Sequence, residues 1–389
     1  MSIHHISKRV QNIAPSATKA MPVLAAKIGD CVSLGQGVPV FETPSHILDG
    51  VINAMRNDPT SGRYTLQPGL PQLRKAVAND FKSHGQQCDA ETEVGITVGA
   101  MEALLATIMT IVEDGDEVIL PSPTYASHTE QVVLSGGVPV FAPLRTEDWG
   151  LDIQAIQAAI TPRTRAIILC SPGNPTGAVF EQEDIRALLN LAAENNIYVI
   201  ADLTYNSLVY DMDEPALPAT YTPDPQRLIS IFSMSKKYAL TGWRIGGLVA
   251  DAELMESIQK VHDAAVVCAP TISQHAALAA LQGPQHDVEQ MRQELQVRRD
   301  LCCQRLDNLH DYFSYVKPRG AFYVMMRYNF SEIPSSAMAE RVLREARVIT
   351  VPGESYGLGG ENHLRISFGG TENDINKAFD RLDQWCSSL

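Results

Sequence analysis

Short hydrophobic runs alternate with helical segments between about residues 94 and 250. The runs are four to eight residues long, and they read "GITV", "EVIL", "GVPVFAPL", "RAIILC", "IYVIAD", "LISIFS" and "IGGLVA". Segments with helical periodicity, such as residues 181–195, separate these runs. Continuous apolar runs separated by helices predict a mostly parallel sheet with helices on both faces. We therefore expect an α/β domain built on a seven-stranded sheet.

The C-terminal part shows a different pattern. Helical periodicity over about residues 271–310 breaks at Gly283 and Pro284, and shorter elements follow it. These are "GAFYVMM", a helix near 336–345, "VITVPG", "LRISF" and a helix over 372–385. The pattern predicts a second, smaller α+β domain, which the first 45 residues join because they hold no helix long enough to stand alone. The predicted large domain covers residues 46–284, and the small domain covers 1–45 and 285–389.

Charge and composition narrow the choice of partners. The 389 residues carry a formal net charge of −14, and no long run of Lys or Arg interrupts that balance. Nucleic acid and anionic membranes are therefore not expected as partners. The polar N-terminus does not resemble a signal peptide and no apolar run is long enough to span a membrane, so we expect a cytoplasmic protein. The seven cysteines form no C-x-x-C pair and have no zinc-type spacing, which predicts reduced thiols and no metal site.

Polar residues follow five of the predicted strands. In sheets of this kind, ligands bind beyond the carboxyl ends of the strands. The segments that follow the strands are residues 99–102, 121–125, 171–177, 202–205 and 233–236. We expect these five segments to converge on one edge of the sheet and to form a binding site there.

Two adjacent lysines, Lys236 and Lys237, follow the strand "LISIFS" and precede Arg244. A lysine acts as a covalent catalyst only when its amine is unprotonated, and burial or a nearby cation lowers its pKa. A lysine in this position is a candidate to form a Schiff base with pyridoxal 5'-phosphate. If this stretch is considered by itself, the alternative interpretation is a solvated basic turn with no role in catalysis.

The neighbouring segments supply the other groups that this cofactor needs. A phosphate requires cationic donors and backbone N–H groups, which Ser233, Ser235, Arg244 and the turn before Ala100 and Met101 offer. A buried carboxylate keeps the pyridine nitrogen protonated, and Asp202 ends an apolar strand. Tyr205 and Asn174 can donate to the phenolic oxygen, and Tyr125 offers an aromatic face for the ring. Each also has a structural alternative, such as a helix cap, a turn or core packing.

These residues carry a resemblance to a known family. The chain resembles fold-type-I pyridoxal phosphate enzymes of the class I/II aminotransferase family, along nearly its whole length. The motifs that carry the resemblance are "LGQGVP", "YTLQPGLPQLRKA", "GAMEAL", "PTY", "NPTG", "SMSKKYALTGWRIG", "PRGAFY" and "LRISF", in this order. Each motif is weak alone, but their order and spacing are specific.

The resemblance implies a role for each site residue. In the family, the Schiff-base lysine lies eight residues before the phosphate-binding arginine and three residues after a phosphate-binding serine. With Arg244 and Ser233 as these residues, the match selects Lys236 and leaves Lys237 as a neighbour. By the same match Arg365 binds the substrate α-carboxylate, with support from Asn174 and the backbone of Gly37. Tyr64 would reach the cofactor phosphate of a partner subunit, which implies a homodimer with shared active sites. Leu203 departs from the family pattern, which commonly has an acidic residue there.

The resemblance also implies the fold and the reaction. The fold would be that of aspartate aminotransferases, with Lys236, Asp202 and Tyr205 as catalytic residues. The enzyme would move the amino group of an aromatic, neutral or aspartate-type L-amino acid to a 2-oxo acid such as 2-oxoglutarate. Carbon–sulfur β-lyases and other pyridoxal phosphate enzymes of the same fold are the alternative.

Two sequence features bear on the choice of substrate. The "PSAT" stretch (residues 15–18) resembles the aspartate-type subgroup, which often has a lysine where this chain has Met101. An uncharged residue at that position favours an apolar or aromatic side chain over a carboxylate. A second cation in the site would favour aspartate instead.

Overall fold

The computed structural model describes residues 6–13 and 17–389. Residues 1–5 at the polar N-terminus, and Pro15 and Ser16 of the "PSAT" stretch, lie outside the described residues. The α-helices in the described part are α1 (Lys8–Gln11), α2 (Ala17–Ile28), α3 (Ser45–Asn57), α4 (Pro71–Ser83), α5 (Ala100–Ile111), α6 (Ala126–Leu134), α7 (Ile153–Ala159), α8 (Gln182–Glu194), α9 (Met234–Lys237), α10 (Ala252–Val266), α11 (Thr271–Gln282), α12 (His286–Asp307), α13 (Ser335–Ala346) and α14 (Glu372–Cys386). The strands are β1 (Val32–Ser33), β2 (Val94–Thr97), β3 (Glu117–Ser122), β4 (Val138–Pro143), β5 (Thr164–Cys170), β6 (Tyr198–Asp202), β7 (Leu228–Ser233), β8 (Gly246–Val249), β9 (Phe313–Tyr315), β10 (Tyr323–Tyr328), β11 (Val348–Ile349), β12 (Val351–Pro352) and β13 (His363–Ser367).

Seven strands form the large sheet, in the order β2-β8-β7-β6-β5-β3-β4. Strands β3 to β7 pair in parallel, whereas β8 is antiparallel to both β7 and β2. The inner strands are buried along most of their length, as expected for a sheet covered on both faces. The predicted seven-stranded, mostly parallel sheet is confirmed.

Alternating side chains of this sheet enter two separate cores. Ile167 and Val199 pack on one face with α7 and α8, whereas Ile168 and Ile200 pack on the other with α5 and α10. Helices α3, α4 and α11 cover the β2 end of the first face. Because both faces are filled with helices, a ligand can reach the sheet only at its ends.

A second sheet of four antiparallel strands has the order β12-β13-β10-β9. Strand β1 pairs in parallel with β11, and Met21 and Ala25 of α2 share one core with residues of α12, α13 and α14. The N-terminal segment therefore packs with the C-terminal part, whereas the division into two domains stays a prediction. The boundaries at residues 45/46 and 284/285 stay predictions.

Within the described residues, no helix combines the length and apolarity that a bilayer crossing requires. No group of three His, Cys, Asp or Glu side chains in that part of the chain is placed to hold a metal ion.

Candidate active site

A cavity of about 440 Å³ opens at the carboxyl ends of β5, β6 and β7, facing β10 and β13 of the smaller sheet. Twelve of the predicted site residues line it: Gly37, Ala100, Met101, Tyr125, Asn174, Asp202, Tyr205, Ser233, Ser235, Lys236, Arg244 and Arg365. The five polar segments that follow the strands thus contribute to one cavity, as the sequence predicted.

Lys236 lies in α9, directly after β7. Ser233 caps this short helix, because its Oγ accepts a hydrogen bond from the Ser235 N–H at 3.1 Å. The Lys236 Nζ donates to the carbonyl of Gly37 at 2.7 Å, at the wall of the cavity. Burial, together with the positive charges of Arg365 and Arg244, lowers the pKa of Lys236 to about 8. The neutral, nucleophilic form of the amine is therefore reached at a lower pH than in an ordinary lysine.

Lys237 points away from this cavity. Its Nζ lies 3.5 Å from Oδ1 of Asp80, and it lines a separate small cavity. Burial acts to lower its pKa, but Tyr238 and the acidic side chains around the amine outweigh burial and raise the pKa of Lys237. The two neighbouring lysines therefore have pKa values shifted in opposite directions.

Asp202 ends β6 and is buried at the floor of the cavity. Its Oδ2 accepts a hydrogen bond from Nε2 of His128 at 3.2 Å, and its Oδ1 accepts from the N–H and Oγ1 of Thr204 at 3.0 and 2.6 Å. Burial acts to raise the pKa of Asp202, but these hydrogen bonds and the His128 ring hold it below its usual value. The cavity floor therefore carries an ionised carboxylate.

His128 was not singled out from the sequence. It is fully buried in α6, and its Nδ1 lies 3.1 Å from Oγ1 of Thr124. An ionised Asp202 can only accept, so Nε2 of His128 carries the proton in this hydrogen bond. Tyr125, the predicted stacking residue, packs edge-on against the same ring at 5.5 Å between centroids.

The opposite end of the cavity has the features of an anion site. Gly99 has φ +75° and precedes α5, whose first N–H groups belong to Ala100 and Met101. Arg244 approaches this turn closely, because a Cβ at Gly99 would lie 2.9 Å from its Nη2. Nη1 of Arg244 donates to the carbonyl of Thr241 at 2.8 Å. The guanidinium of Arg244 therefore lies beside the free N–H groups at the start of α5, and together they can bind an anion.

Two tyrosine hydroxyls meet in the wall between the sheets. The hydroxyl of Tyr205 lies 3.0 Å from that of Tyr323, and burial raises the pKa of Tyr205 well above its usual value. Tyr205 is thus a neutral hydrogen-bond donor. Gly37 leaves room for Tyr323, since a Cβ at Gly37 would lie 2.8 Å from its hydroxyl oxygen.

Arg365 on β13 is 2% exposed. Its Nη1 donates to Oδ1 of Asn174 at 3.3 Å, and its Nη2 donates to the carbonyl of Gly35 at 2.5 Å. The rings of Tyr323 and Tyr356 lie 4.6 and 5.4 Å from its guanidinium carbon. Its buried Nε has no hydrogen-bond partner among the described residues, which is costly unless a ligand supplies one. A carboxylate is the group that this planar cation pairs with best.

Tyr64 is the predicted site residue that this cavity does not include. Its side chain is 81% exposed, so within its own chain it contacts no cofactor site. Its predicted role in the site of a partner subunit stays a prediction.

Comparison with known proteins identifies the family. The family model described as aminotransferase class I and II matches residues 29–382. The aromatic-amino-acid aminotransferase 2 of Thermococcus litoralis is 34% identical, with 97% of each chain covered. The probable aspartate aminotransferase of Methanocaldococcus jannaschii is 36% identical, with 96% of this chain and 97% of that protein covered.

A solved structure extends the likeness to the whole fold. The aspartate aminotransferase of Thermus thermophilus, solved with maleate, has a TM-score of 0.92 at 34% identity and covers 98% of this chain and 100% of its own. This likeness confirms the predicted aspartate aminotransferase-like fold. The relatives also support an aminotransferase over the carbon–sulfur β-lyase alternative. The chain belongs to the aminotransferase class I and II family, and it is an aminotransferase.

Proposed function

We propose that this aminotransferase uses pyridoxal 5'-phosphate, held by Lys236, to move the amino group of an L-amino acid to a 2-oxo acid. The observation that carries the proposal is one cavity that joins three groups. They are the partly buried Lys236, whose pKa is lowered to about 8, the buried carboxylate of Asp202, and the buried guanidinium of Arg365 with an unpartnered Nε.

The donor set of the cavity fits this cofactor. Arg244, the Ala100 and Met101 N–H groups and the serines Ser233 and Ser235 form the end that suits a phosphate. Asp202 would pair with the protonated ring nitrogen, and Tyr125 would lie against the ring. Tyr205 and Asn174 would donate to the phenolic oxygen.

When bound, the cofactor supplies an aldehyde that takes up the amino group and a ring that withdraws electrons from the substrate Cα. Lys236 would form the covalent link to the cofactor. When its amine is free, the neutral Nζ would accept the proton from the substrate Cα and return a proton to complete the transfer. Asp202 would stabilise a positive charge on the ring nitrogen.

Arg365 would bind and orient the substrate. Its Nε–H and the second N–H of each terminal nitrogen are the donors that remain for the α-carboxylate, and Asn174 holds the guanidinium in place. With the carboxylate fixed, the Cα–H bond can be held toward Lys236, which is the geometry that proton transfer requires.

The proposed donors include two classes of L-amino acid. Met101, Leu104 and Tyr125 form an apolar part of the wall, which suits aromatic and neutral side chains. Lys19 of α2 also lines the cavity and is a second cation of the kind that favours aspartate. We propose 2-oxoglutarate or another 2-oxo acid as the acceptor.

We also propose a homodimer with shared active sites, located in the cytoplasm. The exposure of Tyr64 and Leu66, 81% and 83%, supports a surface that a second copy covers. Sedimentation analysis tests the dimer, and a monomer at micromolar concentration would overturn it.

The test of the function is transfer of a labelled amino group. Purified protein with pyridoxal phosphate is incubated with ¹⁵N-labelled phenylalanine or aspartate and unlabelled 2-oxoglutarate, and products are identified by mass spectrometry. The proposal predicts ¹⁵N-glutamate together with the matching 2-oxo acid. No ¹⁵N-glutamate from either donor, together with release of pyruvate and ammonia from a cysteine-type substrate in a parallel incubation, would contradict it and favour the lyase.

A further inference from the structure

We propose that Glu102 and His262 position the turn of the chain that binds the cofactor phosphate, and that they thereby control the affinity for the phosphate without contacting it. Neither residue lines the active-site cavity. This inference rests on the proposed function and deepens it by naming two residues that determine the geometry of the phosphate end.

Glu102 closes the first turn of α5. It is the third residue of this helix, and Gly99, at the N-cap position, has no side chain that could cap the helix. Oε2 of Glu102 instead accepts a hydrogen bond from the N–H of Val98, the residue before Gly99, at 3.1 Å. The third residue of a helix reaches back to the entering chain in a similar way in a capping box. The N–H groups of Ala100 and Met101 remain for a ligand, because the first N–H groups of a helix have no partner within it.

His262 of α10 holds the Glu102 carboxylate in place. Its Nδ1 lies 3.1 Å from each carboxylate oxygen, and the two side chains are 1% and 12% exposed. Helix α10 is itself fixed against α5, because Met255 and Ile258 share a core with Leu104. The carboxylate therefore contacts both its own turn and a neighbouring helix, and water cannot easily replace either contact.

Arg244 contacts the same turn from the cavity. A Cβ at Gly99 would lie 2.9 Å from Nη2 of Arg244, so the guanidinium and the turn are in close contact. Two charged side chains thus fix the turn, Arg244 at Gly99 and Glu102 at Val98. Hydrogen bonds weaken steeply as they depart from linearity, so a small rotation of this turn would weaken the backbone donors to a phosphate. The Glu102 carboxylate lies in the first turn of α5, where the helix dipole favours a negative charge.

The test compares two ligands that differ in the phosphate. Cofactor-free protein is titrated with pyridoxal 5'-phosphate and with pyridoxal, and the absorbance of the bound aldehyde gives both Kd values. The ratio of the two Kd values measures the contribution of the phosphate. We expect Glu102→Met, which keeps the side-chain volume but removes the acceptor, to weaken binding of pyridoxal 5'-phosphate by about 5- to 30-fold and of pyridoxal by less than about twofold.

Further variants separate positioning from packing. Glu102→Gln keeps an oxygen that can accept from Val98 and should recover most of the loss. His262→Ala should change the ratio in the same direction as Glu102→Met, and His262→Asn, which keeps a side-chain N–H near the position of Nδ1, should restore part of it. Glu113→Met, in the exposed segment after the other end of α5, is the matched control and should change neither Kd.

Equal weakening of both ligands by Glu102→Met, or an unchanged ratio of the two Kd values, would overturn the inference. If circular dichroism shows that Glu102→Met does not fold, the comparison of His262→Ala with His262→Asn gives the same two outcomes. Absence of a lysine-bound cofactor band in the unchanged protein would instead overturn the proposed function, so the two failures are distinguishable.

Discussion

His128 and Asp202 form a buried pair at the cavity floor, with 3.2 Å between Nε2 of His128 and Oδ2 of Asp202. The two residues are 0% and 5% exposed. Neither water nor another residue can easily replace this hydrogen bond, so we expect His128 to position the carboxylate that would face the ring of the proposed cofactor.

We predict that His128→Ala lowers kcat about 10- to 100-fold, the range expected for losing a buried hydrogen bond to a charged group. His128→Gln keeps a donor and should recover part of the loss. Because the histidine helps to lower the pKa of Asp202, the acid limb of the kcat profile should move to higher pH in His128→Ala. A drop in kcat with an unchanged pH profile in both variants would indicate only a packing role.

Lys236 and Lys237 differ in environment, which predicts opposite results from the same substitution. Lys236→Ala should abolish cofactor attachment that borohydride makes permanent, because its Nζ is the amine in the cavity. Lys237→Ala should keep attachment, since its amine pairs with Asp80 in a separate cavity. Mass spectrometry of the borohydride-reduced protein measures the attached cofactor in both variants. Retention of the attached cofactor in Lys236→Ala would overturn the assignment.

The lowered pKa of Lys236 predicts how cofactor attachment depends on pH. The neutral amine is the reactive form, so the attachment rate of the cofactor-free protein should fall below about pH 8 and level off above it. An ordinary lysine would keep gaining rate to much higher pH. Arg365→Met removes one of the charges that lower this pKa, so the midpoint should rise. A midpoint that stays near pH 10 in the unchanged protein would contradict the burial of this amine.

Arg365→Ala should raise KM for every amino acid donor by about one to three orders of magnitude, since all donors share the α-carboxylate. Arg365→Lys keeps the charge but loses the planar pair of donors, and it should restore only part of the affinity. Steady-state kinetics with an aromatic donor and with aspartate provide the measurement. An effect confined to aspartate would place Arg365 at the side-chain carboxylate instead.

The sequence predicted the sheet and most of the residues that line the cavity, because polar residues directly follow its apolar strands. Asp202 and Ser233 end apolar strands, and the topology brings the carboxyl ends of parallel strands to one edge. Arg365 required the family resemblance, because nothing in "LRISF" alone distinguishes a buried arginine from an exposed one. The Lys236 assignment likewise came from motif spacing, and the structure adds the pKa difference from Lys237.

Other contacts had no local signal in the sequence. His128 lies on a helix with no motif, and only the folded chain brings its ring to Asp202, 74 residues away. Lys19 reads as an ordinary surface lysine until α2 is placed beside the cavity. Such contacts join residues far apart in the chain, so periodicity and spacing cannot predict them.

The central claim is that Lys236 holds a cofactor that takes the amino group from an amino acid. The most direct measurement is the absorption spectrum of the holoenzyme while single L-amino acids are added without a 2-oxo acid. We predict that the band of lysine-bound cofactor converts to that of the aminated cofactor, with 2-oxo acid formed in an amount equal to the sites. A band that persists while pyruvate and ammonia accumulate over many turnovers, or no such band after cofactor is supplied, would contradict the account.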